Sequence, residues 1–257
     1  MPTRDTPWPT GTPSWVDLTT SDPAAARDFY AGLFGWQLEV GGPETGHYAR
    51  ATTDSRAVCG VNGTPAEGHP PFWATCLATD DAAATAGAVE AVGGKVFAAP
   101  MDVMGLGHMA VLEAPGGGFF GVWQAGSFIG EEIFNQPGAV VWNEFLTRDL
   151  AAAKDFYSAV FGYTYAPVEG TDQYSMIEVD GNVVGGIGML APEAPPNVPP
   201  HWRVYFSVED AYASTELAVG LGATLLRPPT DMPYGRQVDL ADPQGATFAL
   251  VQPPSSG

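Results

Sequence analysis

Two segments of the chain carry chemically active side chains spaced two residues apart. Trp142 and Glu144 form one pair, and Arg203 and Tyr205 form the other. Because side chains alternate across a β-strand, each pair shares one face if its segment is a strand. Together the two pairs offer an aromatic wall, a carboxylate, a guanidinium and a phenol. Such a set suits the binding of a planar polar molecule or a proton transfer next to a carbonyl group.

Two interpretations of these side chains stay open. In the first, Glu144 and Arg203 form a partly buried ion pair in which each charge only neutralises the other. In the second, Glu144 acts as a general base while Arg203 and Tyr205 polarise a carbonyl or enolate oxygen.

The first half of the chain repeats this pattern with less polar residues. Trp15 and Asp17 precede Trp142 and its acidic neighbour by 127 positions, and Cys76 stands in the place of Tyr205. Each tryptophan is either ordinary core packing or a stacking floor for a planar ligand.

Other repeated side chains also allow more than one interpretation. His108 and Arg236 occupy equivalent places just before the next-to-last strand of each half. They are either solvent-facing turn residues or contacts to a substrate at the rim of a cleft. Trp73 and Trp202 alternate to the face opposite the polar set, so we expect them to pack beneath a helix.

The pattern arises from an internal duplication. The segment WVDLTTSDPAAARDFYAGLFGW (15–36) matches WNEFLTRDLAAAKDFYSAVFGY (142–163) at 11 of 22 positions. Later segments match at offsets of 128 and 129, so the intervening loops differ slightly in length. The following bounds are predicted: an N-terminal extension over 1–11, a first module over 12–125, a linker over 126–138 and a second module over 139–253.

Each module is predicted to contain a strand, a helix and three strands, and then the same series again. Asp22 and Pro23 are typical of a helix start, and Gly35 is typical of its end. A second helix is predicted over 81–92, ended by glycines 93 and 94. Helices and antiparallel strands in this order indicate an α+β fold.

The duplicated βαβββ unit, the AxxFYxxxFG helix and the xDPxG turn resemble the vicinal-oxygen-chelate superfamily of glyoxalases, bleomycin-resistance proteins and dioxygenases. The WVDL and WNEF openings resemble a two-module actinobacterial glyoxalase-like subgroup. The resemblance implies two tandem modules, each built from paired βαβββ units around a half-open barrel cleft. It also implies a monomer in which the two modules pair within one chain.

The resemblance further implies a metal held by His, Glu or Gln at three positions of a cleft. Counted from the FY pair, the strand-ending acids and the xDPxG turn, these positions carry Trp15, Ala74 and Gly121 in module one and Trp142, Arg203 and Ala249 in module two. None of these residues is a metal ligand. We therefore expect neither a metal nor another cofactor, with a displaced site such as Glu144 with His201 as the alternative.

Composition excludes several classes of partner. The chain has 10 Lys and Arg against 29 Asp and Glu, a formal charge of −19, which disfavours nucleic acid and anionic membranes. It has no apolar run of about 20 residues and no signal-peptide pattern. Cys59 and Cys76 lack metal or redox spacing, and we expect free thiols rather than a disulfide or a nucleophile. A cytoplasmic protein with a small-molecule ligand is expected.

Several functions fit these observations. The first is binding or sequestration of a small aromatic or carbonyl-bearing metabolite in an aromatic cleft. The second is a metal-independent isomerase, lyase, cyclase or tailoring enzyme with Glu144 as general base. Glyoxalase I and extradiol dioxygenase chemistry depend on a metal and are disfavoured. A purely structural role comes last, because it leaves the clefts without a purpose.

Overall fold

The chain folds into two modules, each built on one mixed β-sheet. The computed structural model describes residues 2–63 and 70–254 and contains, within them, two eight-stranded sheets and four α-helices. Each module has the element order βαβββ–βαβββ, which confirms the predicted α+β fold of two tandem modules. Each sheet ends in two edge strands, so neither closes into a barrel.

Module one has its two βαβββ units side by side in one sheet. Its elements are β1 (Pro13–Thr20), α1 (Pro23–Phe34), β2 (Gln37–Val40), β3 (Ala49–Thr53), β4 (Arg56–Gly63), β5 (Phe72–Ala78), α2 (Ala82–Ala91), β6 (Lys95–Asp102), β7 (Gly107–Glu113) and β8 (Phe119–Ala125). The strand order is β2-β3-β4-β1-β5-β8-β7-β6. The first strands of the two units, β1 and β5, are therefore antiparallel neighbours at the centre.

Module two repeats this topology. Its elements are β9 (Val140–Thr147), α3 (Leu150–Phe161), β10 (Thr164–Val168), β11 (Thr171–Val179), β12 (Asn182–Met189), β13 (His201–Ser207), α4 (Ala211–Gly220), β14 (Thr224–Met232), β15 (Gly235–Ala241) and β16 (Thr247–Gln252). The order β10-β11-β12-β9-β13-β16-β15-β14 again places the first strands, β9 and β13, at the centre.

Helix α1 begins and ends at the predicted cap residues, and α3 has equivalent caps. Asp22 and Asp149 each accept a 3.0 Å hydrogen bond from the backbone N–H three residues later, a cap worth about 1 kcal/mol. Gly35 and Gly162 end the helices with φ of 72° and 70°, which glycine adopts without strain. Among the described residues, no α-helix combines the length and the apolar sequence needed to cross a bilayer.

The tyrosine of each FY pair is buried where the two modules meet. Tyr30 accepts a 3.0 Å hydrogen bond from Trp73 Nε1 and donates a 3.1 Å bond to Asp242 of the DPQG turn in module two. Tyr157 likewise accepts a 3.0 Å hydrogen bond from Trp202 Nε1. Both tryptophans thus lie on the helix side of their sheets, as the strand alternation predicts.

The two modules pack so that the first unit of each meets the second unit of the other, and they share their hydrophobic cores. The first unit of module one, with α1, forms one hydrophobic cluster with the second unit of module two, with α4. The second unit of module one, with α2, forms another with the first unit of module two, with α3. The helix side of each sheet is therefore buried. The opposite side is called here the inner face, and the space above it is called the cleft of that module.

Candidate functional site

The inner face of module two carries the polar set predicted from the sequence. Trp142 and Glu144 lie on β9, and Arg203 and Tyr205 lie on the neighbouring strand β13. In the antiparallel register, Glu144 is opposite Arg203 and Trp142 is opposite Tyr205. Because these strands are central in the sheet, the four residues meet on its inner face.

Glu144 is buried and bordered by two tyrosines. Its side chain is 7% exposed, and Oε1 accepts a hydrogen bond from the Tyr205 hydroxyl. On β11, the Tyr174 hydroxyl accepts a 3.0 Å hydrogen bond from Trp142 Nε1. Burial and then the charge of Glu144 raise the pKa of both tyrosine hydroxyls. Both phenols therefore remain protonated donors at neutral pH.

The Arg203 guanidinium pairs with Asp239 on β15 instead of Glu144. Its Cζ also lies 5.0 Å from the centre of the Tyr205 ring, within the range of a cation–π contact. Burial acts to lower the pKa of Arg203, but Tyr205, Asp239 and Glu144 outweigh it and the net pKa is raised. The ion pair considered between Glu144 and Arg203 is thus not formed, because a second buried carboxylate takes the cation.

A short polar chain connects this ion pair to solvent. Gln237 Nε2 donates a 2.7 Å hydrogen bond to Asp239 Oδ1, and the Tyr234 hydroxyl donates a 2.5 Å bond to Gln237 Oε1. Gln237 is buried, whereas Tyr234 is 48% exposed. The sequence analysis missed all three residues, although the i, i+2 spacing of Gln237 and Asp239 on β15 was a usable signal.

Module one has a smaller version of the same arrangement. Trp15 Nε1 donates to Asp17 Oδ1 at 3.1 Å, and the Tyr48 hydroxyl donates to the same oxygen at 2.7 Å. Burial raises the pKa of Asp17, and these two hydrogen bonds oppose that shift only in part. Tyr48 corresponds to Tyr174, so each cleft contains a tryptophan, an acid and a tyrosine.

Two equivalent glycines provide the space for these clusters. A Cβ atom on Gly60 would lie 1.9 Å from the Tyr48 hydroxyl oxygen, and one on Gly186 would lie 1.8 Å from that of Tyr174. Tyr48 and Gly60 of module one precede Tyr174 and Gly186 of module two by the same 126 positions. That shared offset was the signal by which sequence comparison could have found them.

On β5, the inner face of module one carries Ala74 and Cys76, where β13 of module two carries Arg203 and Tyr205. Cys76 is opposite Trp15 and Gly121 in the sheet register and is buried. Burial, together with Asp17 and Glu131, raises the pKa of its thiol, so it stays protonated and unreactive. Cys76 therefore contributes shape to this cleft and lacks the donors that Tyr205 supplies in module two.

A linker side chain fills part of the module-one cleft. The Phe128 ring lies edge-on against Trp15, with centroids 4.9 Å apart, and against Trp123 at 5.8 Å. Trp123 Nε1 also donates a 2.9 Å hydrogen bond to the Phe128 carbonyl oxygen. The linker thus occupies space above Trp15.

The structure does not bring His108 and Arg236 into the clefts. Arg236 lies over the ring of Tyr212 on α4, 4.7 Å from its centre, and pairs with Asp231 at 2.7 Å. His108 is exposed and pairs in register with Gln124, whose side chain caps the start of α2. Both side chains therefore lie on the helix side of their sheets. The next residues in sequence, Met109 and Gln237, are the ones on the inner face.

The donor set of the clefts does not fit the metal of the superfamily. The positions considered for ligands carry indole, guanidinium and small apolar side chains, while the carboxylate of Asp239 is already paired with Arg203. Over residues 2–63 and 70–254, no group of three or more His, Cys, Asp and Glu side chains is arranged to hold a metal ion. Within the same residues, Glu144 and His201, the displaced pair considered, belong to no such group.

Comparisons with known proteins agree with the fold and with the duplication. Residues 12–120 match the family described as the Glyoxalase/Bleomycin resistance protein/Dioxygenase superfamily, and residues 139–251 match a Glyoxalase-like domain. The "Anthracycline biosynthesis protein DnrV" of Streptomyces peucetius is 39% identical over 94% of this chain and 93% of its own length. The "Putative glyoxylase CFP32" of Mycobacterium tuberculosis is also 39% identical, over 95% of each chain.

Solved structures with the same fold include a glyoxalase and a dioxygenase of low sequence identity. A Mn(II)-bound glyoxalase from Novosphingobium aromaticivorans has a TM-score of 0.68 and 18% identity, over 94% of this chain and 82% of the other. The 2,3-dioxygenase LapB from a Pseudomonas species has a TM-score of 0.67 and 13% identity, over 94% and 92%. At these identities the likeness shows the fold alone.

Proposed function

Since this chain belongs to the Glyoxalase/Bleomycin resistance protein/Dioxygenase superfamily, we propose that it binds a planar, carbonyl-bearing aromatic metabolite in the cleft of module two without a metal. The observation that carries the proposal is the replacement of metal ligands by a set of organic donors. Trp142 supplies a stacking surface, and Arg203 and Tyr174 supply hydrogen-bond donors. The single O–H of Tyr205 holds the buried Glu144 carboxylate in place.

The geometry suits a ligand that is both flat and polar at its edge. Aromatic rings prefer to stack on indole or phenol rings, which favours a planar ligand beside Trp142. Charged donors such as the Arg203 guanidinium make stronger hydrogen bonds to oxygen than neutral donors do. A phenolic hydroxyl on the ligand has Glu144 as an acceptor. A polycyclic ketone with phenolic groups meets all three requirements.

The relatives support this class of ligand. The name of DnrV connects that protein with anthracycline biosynthesis, and its similarity spans nearly all of both chains. Anthracyclines are polycyclic aromatic ketones, so a related chromophore is the ligand class that we propose for this chain.

The experiment is a titration with a polyhydroxylated anthraquinone, followed by quenching of tryptophan fluorescence, after dialysis against EDTA. We expect one site, affinity unchanged by chelator, and at least a tenfold loss on Arg203→Ala. Asp17→Asn in module one is the matched control and should leave the affinity unchanged. Binding that is lost with EDTA, or that is weakened by the module-one variant alone, would contradict the proposal.

One observation favours catalysis as a second candidate. The carboxylate of Glu144 is buried and held by the Tyr205 hydroxyl in a cleft that also contains a cation. In this function Glu144 removes a proton from the carbon next to a ligand carbonyl, and Arg203 stabilises the resulting enolate oxygen. Reprotonation at carbon or loss of a leaving group then gives isomerase or lyase chemistry.

Hydrogen–deuterium exchange separates the two candidates. α-Tetralone, an aryl ketone with an acidic CH₂ group, is incubated with the protein in D₂O and monitored by proton NMR. A base at Glu144 predicts enzyme-dependent exchange that Glu144→Gln abolishes while anthraquinone binding persists. No exchange above the buffer rate would leave binding as the only function of this cleft.

A further inference from the structure

A second cation lies beside the polar set of the module-two cleft. Arg227 is on β14, opposite Asp239 in the antiparallel register, so its side chain shares the inner face with that carboxylate. Its Nε lies 3.4 Å from Asp239 Oδ2, whereas the Arg203 guanidinium pairs with Oδ1 of the same carboxylate. Two guanidinium groups therefore converge on one acid at this end of the cleft.

These two cations have one acidic partner between them. Over residues 2–63 and 70–254, Asp239 is the only acidic side chain in ion-pair contact with either Arg203 or Arg227. Glu144 accepts its hydrogen bond from Tyr205 and lies outside this ion pair. One carboxylate neutralises one guanidinium, so the three paired groups together carry one surplus positive charge.

The Arg227 guanidinium is accessible and incompletely bonded. Its side chain is 46% exposed, whereas that of Arg203 is 19% exposed. A charge-assisted hydrogen bond is about 2.8 Å long, so the contact of Arg227 with Asp239 is a loose one. A guanidinium presents its N–H donors in a planar fork that matches the two oxygens of a carboxylate. Arg227 thus keeps donors for an anionic group on a ligand.

Module one shows that the sheet folds without these charges. At the offsets of 128 and 129 that relate the two modules, the three equivalent positions are apolar and carry Ala74, Ala98 and Val111. Ala98 is opposite Val111 in the sheet, just as Arg227 is opposite Asp239. Partial burial of charged groups costs desolvation free energy that apolar side chains avoid. The charged group in module two therefore points to a ligand and not to a requirement of packing.

The cations lie at a distance from the aromatic wall of the same cleft. In the sheet, β9 with Trp142 is separated from β15 with Asp239 by β13 and β16. At about 4.8 Å per strand, β9 and β15 are roughly 14 Å apart along the sheet. Between them, Ala249 of β16 is paired in register with Asp239, and its small side chain leaves room for the Arg203 guanidinium to cross. A flat ligand stacked on Trp142 therefore meets Arg227 only at the edge remote from the indole.

We propose that Arg227 binds a carboxylate at the remote edge of the ligand in the module-two cleft, with Arg203 as the second donor. The ligand is then a planar aromatic acid, whose ring system lies against Trp142. This inference rests on the function proposed above, because it assigns a further group to the same ligand. Arg227 becomes the residue that selects the acid over its neutral analogues.

Anthraquinone-2-carboxylate and the neutral anthraquinone-2-carboxamide, which are alike in size, test the proposal by quenching of tryptophan fluorescence in the full chain. We expect the carboxylate to bind at least about tenfold more tightly, as one added charge-assisted contact provides. The formal charge of −19 repels anions from the protein as a whole, so such a preference requires a local cation. Arg227→Gln should abolish the preference and leave the affinity for the amide unchanged.

Arg236→Gln is the matched control. It removes a guanidinium from the neighbouring strand β15 and changes the net charge equally, but its side chain lies over Tyr212 on the helix side of the sheet. This variant should leave both affinities unchanged. A measurement on the original chain keeps the test decisive if Arg227→Gln impairs folding: added NaCl should weaken binding of the carboxylate and spare that of the amide.

The outcomes separate this inference from the function on which it rests. Equal affinity for the two probes would remove the role of Arg227 and leave the proposed function intact. A preference that survives Arg227→Gln, that is lost equally in Arg236→Gln, or that does not respond to salt would also overturn the inference. Binding of neither probe would refute the proposed function and the inference together.

Discussion

Replacing Gly186 by alanine tests whether the module-two cleft depends on the positions of Tyr174 and Trp142. The new Cβ would lie 1.8 Å from the Tyr174 hydroxyl oxygen and 3.1 Å from Trp142 Nε1. Since ordinary contacts are about 3.5 Å, the hydroxyl must move by roughly 1.7 Å, which breaks its hydrogen bond to the indole. The lost bond costs about 1 kcal/mol and the crowding about 1–3 kcal/mol, so the free energy of unfolding should fall by about 2–4 kcal/mol.

Gly60→Ala is the matched variant in module one. Its Cβ would lie 1.9 Å from the Tyr48 hydroxyl oxygen and 2.0 Å from Asp17 Oδ1, so the steric cost is similar. Urea unfolding followed by circular dichroism should show comparable losses of stability for the two variants. Anthraquinone titration should differ between them, because only Gly186→Ala distorts the proposed binding wall and should weaken binding by at least about tenfold.

Either half of this comparison can refute the reasoning. Unchanged stability of both variants would show that the tyrosines move without cost, contrary to the contacts described. Unchanged affinity of Gly186→Ala would remove Tyr174 and Trp142 from the binding site. Loss of affinity in Gly60→Ala alone would place the working cleft in module one.

Three further predictions follow from the same contacts. Tyr205→Phe removes the donor to the buried Glu144 carboxylate and should lower the free energy of unfolding by about 1–3 kcal/mol, checked by urea unfolding; an unchanged midpoint would mean that the bond contributes nothing. Phe128→Ala should open the module-one cleft and lower the free energy of unfolding by about 2–3 kcal/mol, because the ring is only partly buried. It should also increase acrylamide quenching of the tryptophan fluorescence, and unaltered quenching would contradict the role of Phe128 as a filler. Burial raises the pKa of Asp17, so the folded state holds the proton more tightly and stability falls as the pH rises from the unfolded pKa to the folded one. Asp17→Asn should therefore gain stability relative to the original chain as the pH rises above about 4, and a constant difference in urea midpoint would refute the assignment.

The fold was predictable because its signals are local and occur twice. The cap at Asp22 and the glycine at the end of α1 act within one turn of helix, and their counterparts in α3 repeat them. Strand alternation placed Trp142 and Glu144 on one face because that rule needs only neighbouring residues. Long segments with repeated periodicity therefore gave both the elements and their order.

The arrangement of the polar cleft depended on contacts that alternation does not specify. Arg203 stands opposite Glu144 in the register, yet its long side chain reaches Asp239 on a strand two positions away in the sheet. A pattern along one strand contains no information on which of two carboxylates a flexible guanidinium will choose. The placement of His108 and Arg236 failed for a different reason. A shift of one residue in the predicted strand moves a side chain to the other face of the sheet.

The linker was the least predictable segment. Its residues lack periodicity, and nothing in their composition indicates that Phe128 packs on Trp15 or that Glu131 becomes buried. Both placements come from the way the chain crosses between the modules, which only the tertiary structure defines. The N-terminal extension also gains its order there, through the bond from Trp8 to the linker.

The shared cores have a consequence for how the two clefts are able to differ. Two separate copies of one module, packed in the same reciprocal way, would form a symmetric dimer with identical clefts. Every substitution would then alter both clefts. Joining the copies in one chain fixes their stoichiometry and removes that constraint. One cleft is then free to lose the tyrosine donor on β5 and to be partly filled by Phe128, while the other keeps Tyr205 beside Glu144. The covalent link thus permits a division of labour that no symmetric pair can have.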